Sequence, residues 1–137
     1  MTQKAINDLT YSILGAAIDV HKELGPGLLE NIYEKCIAHL LARSGFHVVT
    51  QKRIPFVFHN LPMDINLRLD LLVEDLVIVE IKTVETILPV HEAQLLTYLK
   101  LLRKPKGILI NFNCTNIYKE GQRTFVTELF SSLPKGL

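Results

Sequence analysis

The sequence predicts a single α/β domain over residues 1–137, with a mixed central sheet flanked by helices. Apolar residues recur at helical spacing near the amino terminus and again in the segment 89–102, whereas the segments between and after them show the patterns of strands. The 48% content of hydrophobic residues suffices for a buried core. Because no repeat or linker interrupts the order helix, helix, strands, helix, strand, we expect helices packed on one sheet.

Two helices are expected before the sheet. An apolar stripe predicts a helix from about Asn7 to Leu24, and Gly25-Pro26-Gly27 ends it, with Gly25 suited to the left-handed position after a helix. A second stripe predicts a helix from about Leu28 to Ser44. With Gly27 as its N-cap, Glu30 would occupy the third helical position, where a carboxylate complements the helix dipole.

The strands are expected in the middle and at the end of the chain. A turn is predicted at Asn60-Leu61-Pro62, and the clearest hairpin signal surrounds Glu74-Asp75. A third helix should begin at Pro89, since proline is favoured in the first helical turn, and continue to about Leu102. The predicted strands are residues 46–51, 54–58, 65–73, 76–83, 106–111 and 123–129.

Charge and cysteine content exclude several classes of protein. The 15 Lys+Arg and 14 Asp+Glu leave a net charge of +1, which excludes a polybasic nucleic-acid coat. Two cysteines, Cys36 and Cys114, are too few for a disulfide scaffold or a four-cysteine zinc site, and we expect reduced thiols in the cytoplasm. No apolar run approaches the ~20 residues that span a bilayer, so no membrane association is expected.

The charged residues of the predicted hairpin are candidates for a functional site. Alternation places Glu80 and Lys82 on one face of a strand, about 6.5–7 Å apart, and Glu80 is flanked by the apolar Val79 and Ile81. Burying such a carboxylate requires an ion, an opposite charge or several hydrogen bonds. In one interpretation Glu80 and Lys82 form an exposed ion pair on a half-buried sheet; in the other, Asp70 joins Glu80 in a metal site.

The length of the hairpin turn decides between these interpretations. A two-residue turn would pair Asp70 with Val79 and leave Glu80 on the opposite face, whereas an odd turn or a bulge would place Asp70 across from Glu80. We predict the second arrangement. Two converging carboxylates suit Mg²⁺, which keeps several waters for a substrate phosphate. Lys82 would then position or deprotonate the attacking water.

These residues resemble a known active-site signature. Asp70 followed by Glu80-Ile81-Lys82 resembles the motif of the PD-(D/E)xK nuclease superfamily. Gly27-x-x-Glu30-x-x-Tyr33 resembles the motif of the GxxExxY family within that superfamily, and the segments 88–100 and 109–112 match it in the same order. The resemblance implies a restriction-endonuclease-like αβββαβ core.

The resemblance also implies roles for individual residues. It assigns Mg²⁺, with Mn²⁺ as a substitute, to Asp70, Glu80 and the Ile81 carbonyl, with Glu30 as an additional acidic residue of the site. It makes Lys82 catalytic. A glutamine and a tyrosine four residues apart, Gln94 and Tyr98, match an element that orients water, metal ligands or phosphate.

Some of these residues have simpler explanations. Glu30 is either a catalytic acid or only a helix-capping residue. Tyr33 is expected to be a core residue, and in one interpretation its hydroxyl also forms a hydrogen bond with a carboxylate of the site. Gln94 and Tyr98 lie on one helix face, away from the predicted core stripe of Leu95, Leu96, Leu99 and Leu102, so they form either part of the site or a solvated flank. The basic residues Lys100, Arg103, Lys104 and Lys106 either make the surface soluble or, if they flank the site, bind phosphates.

Three functions follow as hypotheses. The first is a metal-dependent nuclease that hydrolyses phosphodiester bonds, with DNA as the expected substrate. The second is a catalytically silent module that binds nucleic acid or a protein partner, because fold alone does not determine function. The third is RNA processing. The small size and high apolar fraction of the domain also lead us to expect a homodimer.

Overall fold

The structure, a computed structural model, describes residues 1–137. It begins with two helices, continues with a run of strands and alternates helix and strand towards its end. The helices and strands are α1 (Gln3–Leu24), α2 (Glu30–Arg43), β1 (Val48–Arg53), β2 (Phe56–Phe58), β3 (Leu61–Met63), β4 (Arg68–Val73), β5 (Val77–Lys82), α3 (Pro89–Leu102), β6 (Lys106–Asn111), β7 (Gln122–Val126) and α4 (Glu128–Ser131). A single π-helical turn, Ile117–Gly121, precedes β7.

Five of the strands form one mixed sheet in the order β1-β4-β5-β6-β7. Only β5 and β6 are parallel, because α3 carries the chain across one face of the sheet between them. The short strands β2 and β3 form a separate hairpin. The predicted α/β class with a mixed central sheet is therefore confirmed, and the sheet and its helices are consistent with a restriction-endonuclease-like fold.

The core is divided between the two faces of the sheet. On one face α1 and α2 pack on a cluster that includes Val79 and Ile81 of β5. On the other face α3 packs on a smaller cluster that includes Ile78 and Leu109. Glu80 shares the parity of Ile78, so strand alternation directs it towards the side of the sheet that α3 covers.

Several predicted boundaries require correction. β1 continues through Arg53, because an edge strand tolerates charged residues and every residue of β1 except Gln51 pairs with β4. The predicted turn at residues 60–62 is wrong, since Leu61–Met63 forms β3 and the chain reverses at His59 and Asn60, both of which have positive φ. The π-helical turn and α4 were not predicted. No helix, α1 included, combines the length and apolar character that a membrane span requires.

The glycine-rich connection between α1 and α2 is held by Tyr33. Gly25 ends α1 as predicted and has a positive φ of +68°, but its ψ of −176° places it outside the predicted left-handed helical conformation. The Tyr33 hydroxyl donates a hydrogen bond to the Gly25 carbonyl at 2.5 Å and accepts one from the Leu28 N–H at 3.1 Å, while its ring stacks on Phe112. The hydroxyl therefore satisfies the backbone of this loop, and the suggestion that it reaches a site carboxylate is wrong.

Helix α3 approaches β6 closely because Gly107 has no side chain. A Cβ atom at this position would lie 2.8 Å from Leu95 Cδ1, and Leu95 is fully buried. We expect Gly107→Ala to lower the free energy of unfolding by about 1–3 kcal/mol, because the overpacked helix must move off the sheet. Urea denaturation monitored by circular dichroism measures this change.

Gly15→Ala is the matched control. Gly15 lies inside α1, and no atom lies within 4 Å of the position that an added methyl group would take, so alanine is expected to stabilise the protein by about 0.5–1 kcal/mol. A Gly107→Ala protein as stable as the wild type would contradict the proposed contact.

Candidate active site

The turn between β4 and β5 has three residues. Its ladder pairs Val73 with Val77 and Leu71 with Val79, which leaves Glu74-Asp75-Leu76 as the loop. The predicted odd turn is confirmed. The next positions in this register place Asp70 opposite Glu80, on the same face of the hairpin.

Two reciprocal hydrogen bonds join these carboxylates to the opposite strands. The Asp70 N–H donates to Glu80 Oε2 at 2.8 Å, and the Ile81 N–H donates to Asp70 Oδ2 at 2.8 Å. The carboxylate oxygens thus accept N–H groups that face between the two strands, and the two side chains converge as predicted. The alternative of an exposed ion pair with Lys82 is wrong, because Glu80 is only 4% exposed and forms no ion pair.

Burial makes the charge on Glu80 costly. Burial, followed by the charge of the neighbouring Asp70, raises the pKa of this carboxyl to about 8, although the hydrogen bond from the Asp70 N–H and the charge of Lys82 act in the opposite direction. Without a cation, Glu80 therefore holds its proton near neutral pH. A positive ion between Glu80 and Asp70 would remove this penalty.

The oxygen donors fit a hard divalent cation. Mg²⁺ is commonly bound by one or two carboxylates and retains several waters, and Asp70 and Glu80 supply two carboxylates on one face of the hairpin. No group of three His, Cys, Asp or Glu side chains is arranged to hold a metal. The protein therefore supplies a site of two carboxylates, and neither Glu30 nor Glu34 completes a set of three.

Glu30 lies at the edge of this site. The structure corrects its predicted helical position: the chain stays extended through Leu29, so Glu30 is the first residue of α2 and not the third. Its side chain does not form the predicted interaction with the N-cap end of α2. Its Oε1 instead accepts a hydrogen bond from the N–H of Thr83, at 3.3 Å, directly after Lys82.

Helix α3 brings two further predicted residues to the site. Lys82 Nζ lies 3.5 Å from Gln94 Oε1, and this exposed glutamine is the nearest hydrogen-bond acceptor of the lysine. Tyr98 is 5% exposed and belongs to the cluster under α3, so the predicted solvated face is wrong for the tyrosine. Burial raises the pKa of its hydroxyl, and the charges of Glu80 and Asp70 add to the effect, which places Tyr98 beside the carboxylates.

The reason for this correction is the orientation of α3. The residues that face the sheet are Leu95, Tyr98 and Leu99, spaced by three and four positions, whereas Leu96 is 38% exposed. The predicted core stripe therefore included one wrong leucine and omitted the tyrosine. Tyrosine combines an apolar ring with a polar tip, so it can belong both to the core and to the site.

Two polar residues of the site were not predicted. Glu34, one helical turn after Glu30, is buried, and its Oε1 accepts a hydrogen bond from Gln51 Nε2 at 2.5 Å. The same amide nitrogen lies 3.4 Å from Asp70 Oδ1. Burial raises the pKa of Glu34, and the charge of Asp70 adds to this shift. The signal available in the sequence was the four-residue spacing of Glu30 and Glu34, which places both on one face of α2.

Two lysines of the basic cluster near the end of α3, Lys104 and Lys106, do not flank the carboxylates. Lys106 pairs with Val77 at the far end of β5 from Glu80, is largely buried and donates to Asn7 Oδ1. Lys104 forms an ion pair with Asp75 in the β4–β5 turn, at 2.8 Å. These lysines stabilise the opposite end of the sheet, so the suggestion that they grip phosphates at the site is wrong.

The raised pKa of Glu80 predicts how stability depends on pH in the absence of divalent cations. The folded protein holds the proton of Glu80 up to about pH 8, whereas the unfolded chain releases it near 4.5. The stabilisation is thus fully present below about pH 4.5 and is lost as the pH rises to about 8, by on the order of 5 kcal/mol. Urea denaturation in EDTA between pH 5 and pH 8 measures the slope.

Glu80→Gln provides the control for this experiment, because the amide does not titrate. Its stability should change less with pH than that of the wild type, and Mg²⁺ should stabilise the wild type at pH 8 but not the variant. Identical pH slopes for the two proteins would show that Glu80 does not carry the effect.

Comparison with known proteins agrees with this geometry. A family model described as PD-(D/E)XK nuclease superfamily matches residues 7–124, a range that contains both carboxylates, the lysine and helix α3. Comparisons with curated proteins and with solved structures give no match. Since the family model covers most of the chain, the protein belongs to the PD-(D/E)XK nuclease superfamily.

Proposed function

We propose that this protein is a Mg²⁺-dependent nuclease of the GxxExxY type that hydrolyses DNA. The observation that carries the proposal is the convergence of Asp70 and Glu80, each bound to a backbone N–H beside the other. Nucleases of this superfamily generally use divalent metals, and buried carboxylates without a basic partner are the groups that such a metal requires. The Gly27-x-x-Glu30-x-x-Tyr33 motif supports the family assignment.

The metal would be held by the carboxylates of Asp70 and Glu80 and by the Ile81 carbonyl. When bound, it supplies charge stabilisation for the phosphodiester and lowers the pKa of a water molecule. Glu30 remains in the proposed set as an additional acidic residue, supported by its hydrogen bond to the residue that follows Lys82. Mn²⁺ is the expected substitute, because it accepts the same oxygen ligands.

Lys82 is the proposed catalytic residue. It is half-buried, lies two positions after Glu80 on the same face of β5 and forms no ion pair, so its ammonium group is available to a water or a phosphate oxygen. Gln94 orients it through the 3.5 Å contact to Nζ. Tyr98 packs with Ile78 and Leu109 on the side of the sheet that α3 covers, where its buried hydroxyl feels the charges of Glu80 and Asp70.

Basic residues beside the carboxylates support a nucleic-acid substrate. Arg53 on β1 pairs with Arg68 on β4, two positions from Asp70 along β4, and Arg53 also forms an exposed ion pair with Asp64 at 3.1 Å. Arginine and lysine contacts to phosphates position a nucleic acid without reading its sequence. We expect the affinity for nucleic acid to fall steeply as the salt concentration rises, because binding displaces counterions from the phosphates.

A cleavage assay with matched variants tests the proposal. Plasmid, linear duplex DNA, single-stranded DNA and RNA are incubated with the protein in Mg²⁺, Mn²⁺ or EDTA. We expect cleavage only with metal, and a loss of about 100-fold or more in Asp70→Asn and in Lys82→Ala, because the first weakens the metal site and the second removes the group that handles the water. Lys22→Ala, which removes an exposed lysine of α1, is the control and should cleave like the wild type.

The other outcomes identify the remaining hypotheses. Equal cleavage by all variants would indicate a contaminating nuclease. Binding of nucleic acid without cleavage would support the catalytically silent module. Cleavage of RNA alone would show that the substrate is RNA and not DNA.

A further inference from the structure

A chain of polar side chains connects helix α2 to Asp70. Gln51 Nε2 donates to Glu34 Oε1 at 2.5 Å and lies 3.4 Å from Asp70 Oδ1. The second oxygen of Asp70, Oδ2, accepts the Ile81 N–H at 2.8 Å. Each oxygen of this carboxylate therefore faces a donor, and the two donors come from the strands on either side of β4.

The backbone of Gln51 has an unusual conformation. The pairs Thr50 with Leu71 and Lys52 with Leu69 keep one register, so no residue is inserted and Gln51 lies opposite Asp70. Its φ is nevertheless +51°, in the left-handed region that glycine and asparagine adopt more readily than glutamine. A strained conformation inside a regular strand persists only where the surrounding contacts impose it, and such positions cluster at functional sites.

Glu34 supplies the contact that holds Gln51. Its side chain is 7% exposed and forms no ion pair, and Gln51 is the one residue that donates a hydrogen bond to it. A buried carboxyl group without a partner is costly, so this bond stabilises Glu34 and fixes the amide of Gln51 at the same time.

We propose that Gln51, anchored by Glu34, is a positioning residue that orients the Asp70 carboxylate towards a divalent metal. The inference rests on the metal site of the proposed function, but neither residue is assigned as a ligand. Donors on both oxygens limit rotation of the carboxylate, so the free lone pairs keep one direction. Hydrogen-bond partners of metal ligands typically contribute about 10–100-fold in metal affinity or activity.

Calorimetric titration with Mn²⁺ tests the inference without any cleavage measurement. Gln51→Gly removes the amide, and glycine adopts the positive φ without strain. We expect its affinity for Mn²⁺ to fall about 10-fold or more, while the protein stays folded, because the relief of backbone strain at position 51 offsets part of the lost hydrogen bond to Glu34. Gln122→Ala, on the β7 edge of the same sheet, is the matched control and should bind Mn²⁺ like the wild type.

A second pair of variants tests the role of Glu34. Glu34→Gln keeps an oxygen that accepts a hydrogen bond from Gln51, whereas Glu34→Ala removes it. We expect Glu34→Gln to retain Mn²⁺ affinity within about threefold and Glu34→Ala to lose about as much as Gln51→Gly. An equal loss in both Glu34 variants would mean that charge, and not the hydrogen bond, matters, and would overturn this part of the inference.

The results separate this inference from the proposed function. Unchanged Mn²⁺ binding in Gln51→Gly, with the wild type binding normally, would overturn the positioning role and leave the metal site intact. A wild type that binds no Mn²⁺ would overturn both the metal site and the inference.

Discussion

The reciprocal hydrogen bonds between Asp70 and Glu80 and the opposing backbone hold the site together. Each carboxylate accepts an N–H group between β4 and β5, so the site is part of the ladder that joins the two strands. The geometry follows from the three-residue turn, because one residue more or fewer would move one carboxylate to the other face of the sheet. The register of the hairpin therefore determines where the acidic pair lies.

A rigid scaffold is needed to keep two carboxyl groups together in a buried position. The strand that carries Glu80 lies in the centre of the sheet, paired on one side with β4 and on the other with β6, and apolar clusters cover both of its faces. Helix α3 approaches β6 closely because Gly107 has no side chain, and this approach brings Tyr98 and Gln94 to the site. Core packing and site assembly thus use the same contacts.

The cost of the acidic pair is visible in its surroundings. Burial and mutual repulsion raise the pKa of Glu80, and Gln51 keeps a left-handed backbone that costs roughly 1 kcal/mol. A second buried carboxyl group, Glu34, adds to the negative charge without a basic partner. Stability alone would not retain such an arrangement, whereas a divalent cation would offset the repulsion.

Elements with a strong local signal could be predicted from the amino-acid sequence. The helical stripes, the bounds of α3 and β6, the odd turn and the convergence of Asp70 with Glu80 follow from periodicity and from the chemistry of a carboxylate in an apolar strand. Which face of α3 meets the sheet, and hence the burial of Tyr98, was set by tertiary packing. The approach of Gln51 and Glu34 to Asp70 was likewise set by tertiary packing, because contacts between α2, β1 and β4 depend on the pairing of segments distant in the chain, for which local periodicity carries no information.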